Sequence, residues 1–419
     1  MDNQSETRLA RTVQIGAREM PLAALPSDVM VREALGLVMS DRVDGRIVHY
    51  ARWSERGLYE ARTTMTPGGD YLLMFPDGGH YAHQAAKHND MLAYRSTDKG
   101  KTWKGPSIAF DIDYNQHGFI PLTPGGTERI YAFGTQPIPV LYTREHKLNE
   151  NAPIGYRYSD DDGHSWSEVR LIRPTNDPDF KGMSVMRMCE TGEGAWILGS
   201  HESDGSYKPI MTRQYLLRSE DRGQTWEVLP HARHGGWCVP QYNRMDEGRP
   251  ISLGGSSVYC MIRTCEGHLW ATRSNDDGKT WADPAPTPLV HPDAPPMLFM
   301  LSDAHTLVAF HHNRCSKNTY IGLENDNAAM VDRSEIWVST SRDEGQSWSE
   351  PRFVFANALE PDLDSDWRNY NCSYCDMFVD DGVINLFVPH RWERVVHLQL
   401  QEIALEQLPT RGQVSAKVV

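Results

Sequence analysis

Three histidines and an aspartate lie within one short polar stretch of the sequence: His80, His83, His88 and Asp90. Histidine titrates near neutral pH, so this group suits general acid–base chemistry, with His88 and Asp90 as the preferred residues. His80, His83 and Asp90 could instead be metal ligands, and the stretch could equally be a solvated polar loop. We therefore expect an acid or base here and predict no metal site.

The seven cysteines do not indicate a disulfide framework or a metal centre. Their number is odd and most lie in apolar, strand-like runs, which favours buried free thiols in a reducing compartment. Cys372 and Cys375 form a Cys-x-x-Cys pair, but no second ligand pair with zinc spacing accompanies them. Phosphate-loop, dinucleotide-binding, His-Glu-x-x-His and Gly-x-Ser-x-Gly motifs are also missing from the sequence, so we predict no cofactor.

The chain is acidic overall, with 56 acidic and 42 basic residues and a net charge of −14. It contains no block rich in lysine or arginine, which argues against nucleic-acid binding, although a few focused arginines could still bind an anionic small molecule.

No apolar run reaches the length of a membrane span. The first residues lack the basic and apolar regions of a signal peptide. We expect a cytoplasmic protein if this N-terminus is native, and a secreted or periplasmic one if a signal peptide was removed.

One pattern, Ser-x-Asp-x-Gly-x-Ser/Thr-Trp, occurs five times and must organise the elements that position any site. The copies are Ser96–Trp103, Ser159–Trp166, Ser219–Trp226, Ser274–Trp281 and Ser341–Trp348. Each copy closes a short apolar run that is typical of a strand. Asp-x-Gly is turn chemistry, because the carboxylate can accept bonds from nearby N–H groups and glycine tolerates a positive φ. The tryptophan ring then anchors the turn.

This repeat resembles the Asp box of the sialidase-like β-propellers, and the resemblance extends over most of the chain. It implies an all-β fold, a six-bladed β-propeller of sialidase type with Asp-box turns. Copies that start 55 to 67 residues apart suit one four-stranded blade each. A further set of strand-like runs follows the fifth copy and makes a sixth blade, which the strand near Arg46–Tyr50 could complete. Closure is required because an open propeller leaves unpaired strand edges.

This interpretation divides the chain into an N-terminal extension (1–45), the six-bladed propeller (46–405) and a C-terminal tail (406–419). The extension is polar and mixed, with at most a short helix near Val31–Met39. A seventh blade would have to be built from residues 1–55, which lack the necessary strands.

The resemblance also implies a site on the propeller axis. Sialidases hold a substrate carboxylate with three arginines and use a tyrosine nucleophile assisted by a glutamate, with an aspartate as acid and base on a loop of the first blade. Guanidinium forks suit carboxylates, while a nucleophile and an acid must flank the anomeric carbon.

The stretch Asp332–Ser339 resembles the strand of the third arginine and implies Arg333 in that role. Asn371–Tyr374 resembles the strand of the tyrosine and implies Tyr374, with Tyr370 as the alternative in a shifted register.

Other positions depart from the sialidase pattern. His268 stands where the second arginine would be, and Arg263 precedes it by five residues. No acidic residue matches the glutamate, which is expected near Val239–Gln241. The first arginine aligns with Tyr59, while Arg62 follows three residues later.

The candidate set is completed by Arg391, by the loop that carries His88 and Asp90, and by His117. Arg391 lies in a basic segment before the closing strand, whose basic residues border the pocket in the family. The loop with His88 and Asp90 takes the place of the loop that carries the catalytic aspartate. His117 opens blade two, where some uronate-cleaving lyases on related propellers place a histidine paired with tyrosine and arginine.

These assignments lead to two catalytic hypotheses and one without catalysis. The leading hypothesis is a sialidase-like, exo-acting glycoside hydrolase on an anionic, carboxylated sugar, with Tyr374 as nucleophile and Asp90 or His88 as acid. The carboxylate is then held by Arg333 and Arg62, together with Arg263 or Arg391. Ordinary sialidase activity is set aside because the second arginine and the glutamate are unmatched.

The alternative is a lyase on uronate-containing glycans, with His117 or a loop histidine as base and Tyr374 as acid. The third is a non-catalytic propeller that binds a glycan or a protein. The partner expected for either enzyme is a carbohydrate.

Overall fold

Six antiparallel sheets, each built mainly from consecutive strands, form a propeller in the computed structural model of this chain. The structure describes residues 8–16, 18–51, 57–77, 89–113, 117–135, 151–204, 211–231, 235–239, 244–316, 331–361 and 370–415. Its helical elements are short and include 3₁₀ turns at Leu22–Ala24, Glu33–Leu35 and Glu402–Gln407 and the helix α1 (Arg411–Ser415). Within these ranges no helix has the length and apolar character needed to cross a membrane.

The strands account for about half of the described residues. In chain order they are β1 (Thr12–Ile15), β2 (Arg18–Pro21), β3 (Val29–Arg32), β4 (Leu37–Ser40), β5 (Asp44–Tyr50), β6 (Arg62–Met65), β7 (Tyr71–Pro76), β8 (Asn89–Ser96), β9 (Lys104–Asp113), β10 (Ile120–Leu122), β11 (Ile130–Thr135), β12 (Ile154–Ser159), β13 (Arg170–Leu171), β14 (Ser184–Glu190), β15 (Trp196–Asp204), β16 (Met211–Ser219), β17 (Glu227–Leu229), β18 (Asp246–Gly254), β19 (Ser257–Arg263), β20 (His268–Ser274), β21 (Ala285–Val290), β22 (Met297–Met300), β23 (Leu307–His311), β24 (Glu335–Ser341), β25 (Arg352–Asn357), β26 (Asp376–Asp380), β27 (Val383–His390) and β28 (Arg394–Gln401).

The first strand of each blade lines the axis. Blades one to five take β6–β9, β10–β13, β14–β17, β18–β21 and β22–β25, and blade six begins with β26–β28. The first strands β6, β10, β14, β18, β22 and β26 contact one another in that order, and β26 contacts β6, so they form a closed ring. Residues near the start of these strands therefore converge, whatever their separation along the sequence.

The strand β5 completes blade six, as the sequence analysis expected from Arg46–Tyr50. It pairs antiparallel with β28, with Tyr50 opposite Arg394 and Arg46 opposite His397. An N-terminal strand thus supplies the edge that the C-terminal strands lack, which removes the open edge that an unclosed blade would expose. The expected six-bladed propeller is confirmed.

The apolar core lies between neighbouring blades. One cluster joins blades five and six and includes Met297, Phe310 and Leu386. Comparable clusters join each of the other neighbouring pairs, including blades six and one, where Phe75 and Phe387 are both buried. Burial between blades, repeated around the ring, makes each blade depend on both of its neighbours.

The segment before the propeller consists mainly of strands, and the only helical part of Val31–Met39 is the 3₁₀ turn Glu33–Leu35 between β3 and β4. The strand β4 pairs with the outer strand β25 of blade five, and β3 pairs with β4. Leu37, Val38 and Met39 are fully buried. A short apolar run buried on both faces fits a sheet better than an amphipathic helix, and it covers the edge of β25.

The five repeated turns share one hydrogen-bond pattern between the third and fourth strands of blades one to five. In the first of them, Ser96 Oγ accepts from the Gly100 N–H at 2.8 Å, and Asp98 Oδ1 accepts from the Thr102 N–H at 2.9 Å. Gly100 has a φ of 78°, and a Cβ atom there would lie 2.4 Å from the His397 ring of blade six. Glycine is thus required both for the turn and for close packing on the preceding blade.

The hairpin of β1 and β2 is fastened to blade five through a buried carboxylate. The Gly16 N–H donates to Glu335 Oε2 at 2.8 Å, and the Trp337 indole N–H donates to the same oxygen at 3.0 Å. Burial raises the pKa of Glu335 to about 7, because desolvation of the carboxylate outweighs these hydrogen bonds. The folded protein therefore holds a proton here that the unfolded chain releases at lower pH.

Glu335→Gln is expected to remove part of the pH dependence of stability. A carboxyl group whose pKa is raised by folding contributes stability below its unfolded pKa, and this contribution is lost as pH rises toward the folded value of about 7. For this side chain the loss is about 3 kcal/mol between mildly acidic and neutral pH. Urea unfolding measured at several pH values across that range gives the free energy of unfolding as a function of pH. This free energy should fall less steeply with rising pH for Glu335→Gln than for the wild type. The exposed Glu350→Gln is the matched control, and equal slopes in all three proteins would contradict the prediction.

Candidate active site

A tyrosine and a glutamate from opposite parts of the sequence meet on the propeller axis. The Tyr374 hydroxyl donates to Glu247 Oε1 at 2.8 Å, and both side chains are buried. Tyr374 lies just before β26 of blade six, and Glu247 lies at the start of β18 of blade four. The closed ring of first strands brings these blades together, so a pair separated by 127 residues becomes a direct contact.

A bulge aims the glutamate at the axis. The register of β18 on β19 shifts between Asp246 and Arg249, and Glu247 has a φ of 53°. The N–H groups of the bulge remain satisfied, since the Gly248 N–H donates to Gln214 Oε1 at 2.6 Å and the Glu247 N–H donates to the His201 imidazole at 3.4 Å. The bulge is therefore held in place by side chains of blade three.

Tyr374 is also held in a strained backbone conformation. Its φ is 63°, and Trp392, which packs against it in a small apolar cluster with Leu58 and Met186, has a φ of 56°. A left-handed conformation at a bulky residue costs about 1–3 kcal/mol and persists only where the surroundings impose it. Strain at both Tyr374 and Glu247 is typical of residues whose side chains are positioned for function.

Arg263 joins the tyrosine and the glutamate. Its Nη1 lies 2.6 Å from Glu247 Oε2 and 3.3 Å from the Tyr374 hydroxyl, while its Nε lies 2.7 Å from Asp293 Oδ1. Burial alone would raise the pKa of Glu247, but the charges of Arg263 and His117 and the hydrogen bond from Arg263 outweigh it and hold that pKa well below its usual range. Glu247 is therefore an ionised acceptor for the tyrosine proton. Burial, together with the charge of Glu247, raises the pKa of Tyr374 well above its usual value.

Arg333 is a buried cation near Tyr374. It is 2% exposed, and its guanidinium donates to Ser373 Oγ at 3.3 Å and to the backbone carbonyl of Asp293. Among the residues that the structure describes, no carboxylate oxygen lies within ion-pair distance of it, and its Nε has no hydrogen-bond partner. An unpaired guanidinium beside Tyr374 is suited to binding the carboxylate of a ligand.

Arg62 and His117 meet at a third buried carboxylate, Glu60. Arg62 Nη2 lies 2.5 Å from Glu60 Oε2, and His117 Nδ1 lies 2.8 Å from Glu60 Oε1. The His117 and Tyr374 ring centroids are 6.2 Å apart. Burial disfavours the imidazolium, but the charge and hydrogen bond of Glu60 and the charge of Glu247 outweigh it and raise the pKa of His117. These two carboxylates thereby favour the imidazolium form of His117 beside the tyrosine.

The arginine contacts correct the position-by-position comparison made from the sequence. Arg263, and not His268, lies at the tyrosine; His268 is at the start of β20, where its carbonyl accepts from Thr264 Oγ1 at 3.0 Å. Tyr59 packs against His49 and Phe75. Because a glutamate and a second arginine do contact Tyr374, the reason given for setting ordinary sialidase activity aside is wrong.

The other predicted site residues lie elsewhere or outside the described residues. Arg391 donates to the carbonyl oxygens of Leu359 and Glu360, so it fixes the connection between blades five and six. Asp90 lies at the start of β8, where its N–H donates to Asp77 Oδ1 at 3.0 Å. His80, His83 and His88 fall outside the described residues. Substrate binding by Arg391 or His268, and acid catalysis by Asp90 or His88, stay predictions.

Sequence reasoning missed three carboxylates: Glu60, Glu247 and Asp293. Glu247 lies six or more residues beyond the segment where a glutamate was expected. The bulge also interrupts the alternation of side chains along the strand, so counting alternate residues does not place Glu247 on the axis. Its one sequence signal is Asp246-Glu247-Gly248 at a strand start, because acidic residues followed by glycine are unusual in a buried strand. The sequence signal for Glu60 is its position two residues before Arg62.

Sequence and structure comparisons agree with this fold. The sequence matches the BNR repeat-like domain family over residues 138–386, which is more than half of the chain. The Hadza microbial sialidase Hz136 has a similar structure, with a TM-score of 0.62 and 17% identity over 87% of this chain and 69% of that one. The NanB sialidase from Streptococcus pneumoniae gives a TM-score of 0.59 and 12% identity over 88% of this chain and 72% of that one.

A leech intramolecular trans-sialidase, solved in complex with 2,7-anhydro-Neu5Ac, gives a TM-score of 0.55 and 13% identity over 90% of this chain and 71% of that one. At such identities these likenesses show the fold alone, whereas the family match rests on the sequence. The chain therefore belongs to the BNR repeat-like domain family and has the six-bladed propeller of the sialidase-like proteins.

Proposed function

We propose that this protein is an exo-acting glycoside hydrolase that cleaves a terminal sugar bearing a carboxylate. The observation that carries the proposal is the group of Tyr374, Glu247 and Arg263 beside Arg333, which lacks a carboxylate partner among the described residues. A tyrosine activated by an ionised glutamate supplies a nucleophile, and neighbouring guanidinium groups supply a carboxylate site. Sialic acids are the first substrates to test, since their carboxylate is attached to the anomeric carbon.

The geometry supports a covalent route. The substrate carboxylate binds Arg333 and Arg263, with Arg62 beside them, which places the anomeric carbon near the Tyr374 oxygen. Tyr374 attacks that carbon while its proton passes to Glu247, and the bond to the leaving oxygen breaks as a proton is delivered to that oxygen. Water then attacks the same carbon and gives a proton to the acid that was deprotonated in the first step, while the tyrosine oxygen leaves and takes its proton back from Glu247. His117, His88 and Asp90 are the candidates for the acid that serves the leaving group.

Hydrolysis is tested with fluorogenic glycosides of sialic acids and of uronic acids, followed by trapping with a fluorinated sialosyl fluoride. We expect release from at least one carboxylated glycoside and a peptide carrying Tyr374 with the mass of the attached sugar. Tyr215→Phe is the matched control, because the Tyr215 hydroxyl also donates to a glutamate, Glu202, but on the outer part of blade three. Binding measured by calorimetry with no turnover of any glycoside would instead identify a non-catalytic propeller.

The second candidate is a lyase acting on uronate-containing glycans. It is favoured by one observation, the buried His117 whose ring lies 6.2 Å from that of Tyr374. A lyase needs a neutralised carboxylate, a base for the C5 proton and an acid for the leaving oxygen, and arginine, histidine and tyrosine supply these roles. Elimination leaves an unsaturated uronate that absorbs ultraviolet light, whereas hydrolysis does not, so absorbance during digestion of uronate glycans separates the two reactions.

A further inference from the structure

The bulge that carries Glu247 is bonded to a side chain of blade three, Gln214. The Gly248 N–H, directly after Glu247, donates to Gln214 Oε1 at 2.6 Å. Gln214 lies in β16 and is fully buried, and it is 34 positions away from Gly248 in the sequence. The packing of blade three on blade four therefore brings an amide to the point at which the ladder between β18 and β19 is interrupted.

Two contacts on the other side of the amide fix its orientation. Gln214 Nε2 donates to the carbonyl oxygens of Ser200 and Tyr215, at 2.7 and 2.5 Å. The reversed amide would point its NH₂ group at the Gly248 N–H and its oxygen at two carbonyls, so all three hydrogen bonds would be lost. An amide, with one acceptor and two donors, matches these three backbone groups, whereas a carboxylate offers acceptors only.

The bulge lies closer to blade three than side chains would allow. A Cβ atom at Gly199 of β15 would be 2.0 Å from the Gly248 carbonyl oxygen, and one at Gly248 would be 2.7 Å from Gln214 Cδ. His201, two residues after Gly199, accepts from the Glu247 N–H at 3.4 Å. The strands β15 and β16 thus confine the backbone on which Glu247 has its φ of 53°.

The direction of the Glu247 side chain follows from this backbone. Its Oε1 accepts from the Tyr374 hydroxyl at 2.8 Å, and its Oε2 lies 2.6 Å from Arg263 Nη1. In a strand without the extra residue the side chains alternate, and a shift of one position moves a side chain to the other face of the sheet. A bulge that relaxed toward a regular strand would therefore turn Glu247 away from Tyr374.

We propose that Gln214 is a positioning residue for the reaction at Tyr374. It holds the bulge at Glu247 and Gly248 in the conformation in which the Glu247 carboxylate accepts the tyrosine proton. Within the described part of the chain, the side-chain hydrogen bonds of Gln214 all run to backbone groups, so it acts through Glu247 and not on the substrate. This inference rests on the proposed function, because the proton transfer from Tyr374 to Glu247 is a step of that mechanism.

The kinetic test compares Gln214→Met with Asn176→Leu on the glycoside that the wild type cleaves best. Methionine keeps the length of the side chain but lacks the amide, so we expect kcat to fall by about 10–100-fold. KM should change little, because the arginines that bind the carboxylate keep their contacts. Asn176 is the matched control, since its amide also bonds to a backbone N–H and a backbone carbonyl, those of Val228 on the outer strand β17 of the same blade. Asn176→Leu should keep the wild-type kcat.

Gln214→Glu separates the role of the amide from a general loss of stability. At mildly acidic pH a buried carboxyl group is protonated, so it can accept from the Gly248 N–H and donate to one of the two carbonyls. Under these conditions kcat should recover toward the wild-type value. A folded Gln214→Glu whose kcat at that pH is reduced as much as is expected for Gln214→Met overturns the proposal, and so does wild-type kcat in a folded Gln214→Met.

Crystal structures of the variants test the positioning without any activity. A Glu247 carboxylate displaced from the Tyr374 hydroxyl in Gln214→Met, with the contact retained in Asn176→Leu, supports the proposal. A contact between Tyr374 and Glu247 that stays at 2.8 Å in Gln214→Met overturns it. Wild-type protein that cleaves no carboxylated glycoside would instead contradict the proposed hydrolysis, and the crystal structures would then decide the role of Gln214.

Discussion

Replacing Tyr374 by phenylalanine is expected to lower kcat on the cleaved glycoside by roughly a thousandfold or more, the scale associated with loss of a covalent nucleophile. The change removes only the hydroxyl that donates to Glu247 at 2.8 Å. KM should change little, because the arginines that bind the carboxylate remain. Steady-state kinetics on the best fluorogenic glycoside provide the measurement.

The fold of this variant must be checked separately. Glu247 keeps its bond from Arg263 at 2.6 Å, so we expect a loss of only about 1–3 kcal/mol in the free energy of unfolding from the missing hydrogen bond. Tyr215→Phe, the control for a buried tyrosine paired with a glutamate, should keep wild-type kcat. A folded Tyr374→Phe enzyme with wild-type turnover would exclude the tyrosine as nucleophile.

Arg333→Met and Arg263→Met are expected to have opposite effects on stability while both impair substrate binding. Arg333 has no carboxylate partner among the described residues, so its removal should leave Tm unchanged or higher and raise KM by about a hundredfold or more. Arg263 pairs with Glu247 and Asp293, and in the described part of the chain its loss leaves Glu247 without a paired arginine and Asp293 with Arg244 alone, at 3.3 Å. That variant should lose about 3–5 kcal/mol of unfolding free energy.

Thermal unfolding and kinetics of both variants check this contrast. Arg218→Met is the control, because Arg218 is a buried arginine paired with Asp277 and Glu220 at the rim of blade three. It should lower stability without a change in KM. If Arg333→Met destabilises the protein as much as Arg263→Met does, Arg333 is a structural cation and the carboxylate site has to be sought elsewhere.

Most of the fold could be predicted from the sequence because the five repeats recur at the period of one blade. Their turns give the number of blades that carry a repeat, and the strand expected near Arg46–Tyr50 does complete the sixth blade. The pairing of β3 and β4 on blade five could not be predicted in the same way. Short apolar runs such as Leu37–Ser40 are compatible with a helix or a strand until a neighbouring edge is available to pair with them.

The candidate site was only partly accessible to the same reasoning. Arg333 and Tyr374 follow from strand starts that can be counted from a nearby turn. Glu247 does not, because a bulge and a φ of 53° interrupt the alternation on which such a count relies. Spacing alone placed His268 at the second arginine position and left Arg263 as a candidate five residues earlier, because a count along the strand carries no information about contacts.

The sequence alone determined the blade number, the repeated turns and the presence of an arginine and a tyrosine at the right strand starts. These features are local, because each depends on residues within one turn or one strand. Only the tertiary structure decided which carboxylates meet them: Glu247 with Tyr374 and Arg263, and Glu60 with Arg62 and His117. Ring closure sets those contacts because it brings six strand starts to one axis. The order of residues along the sequence does not show which side chains then face each other.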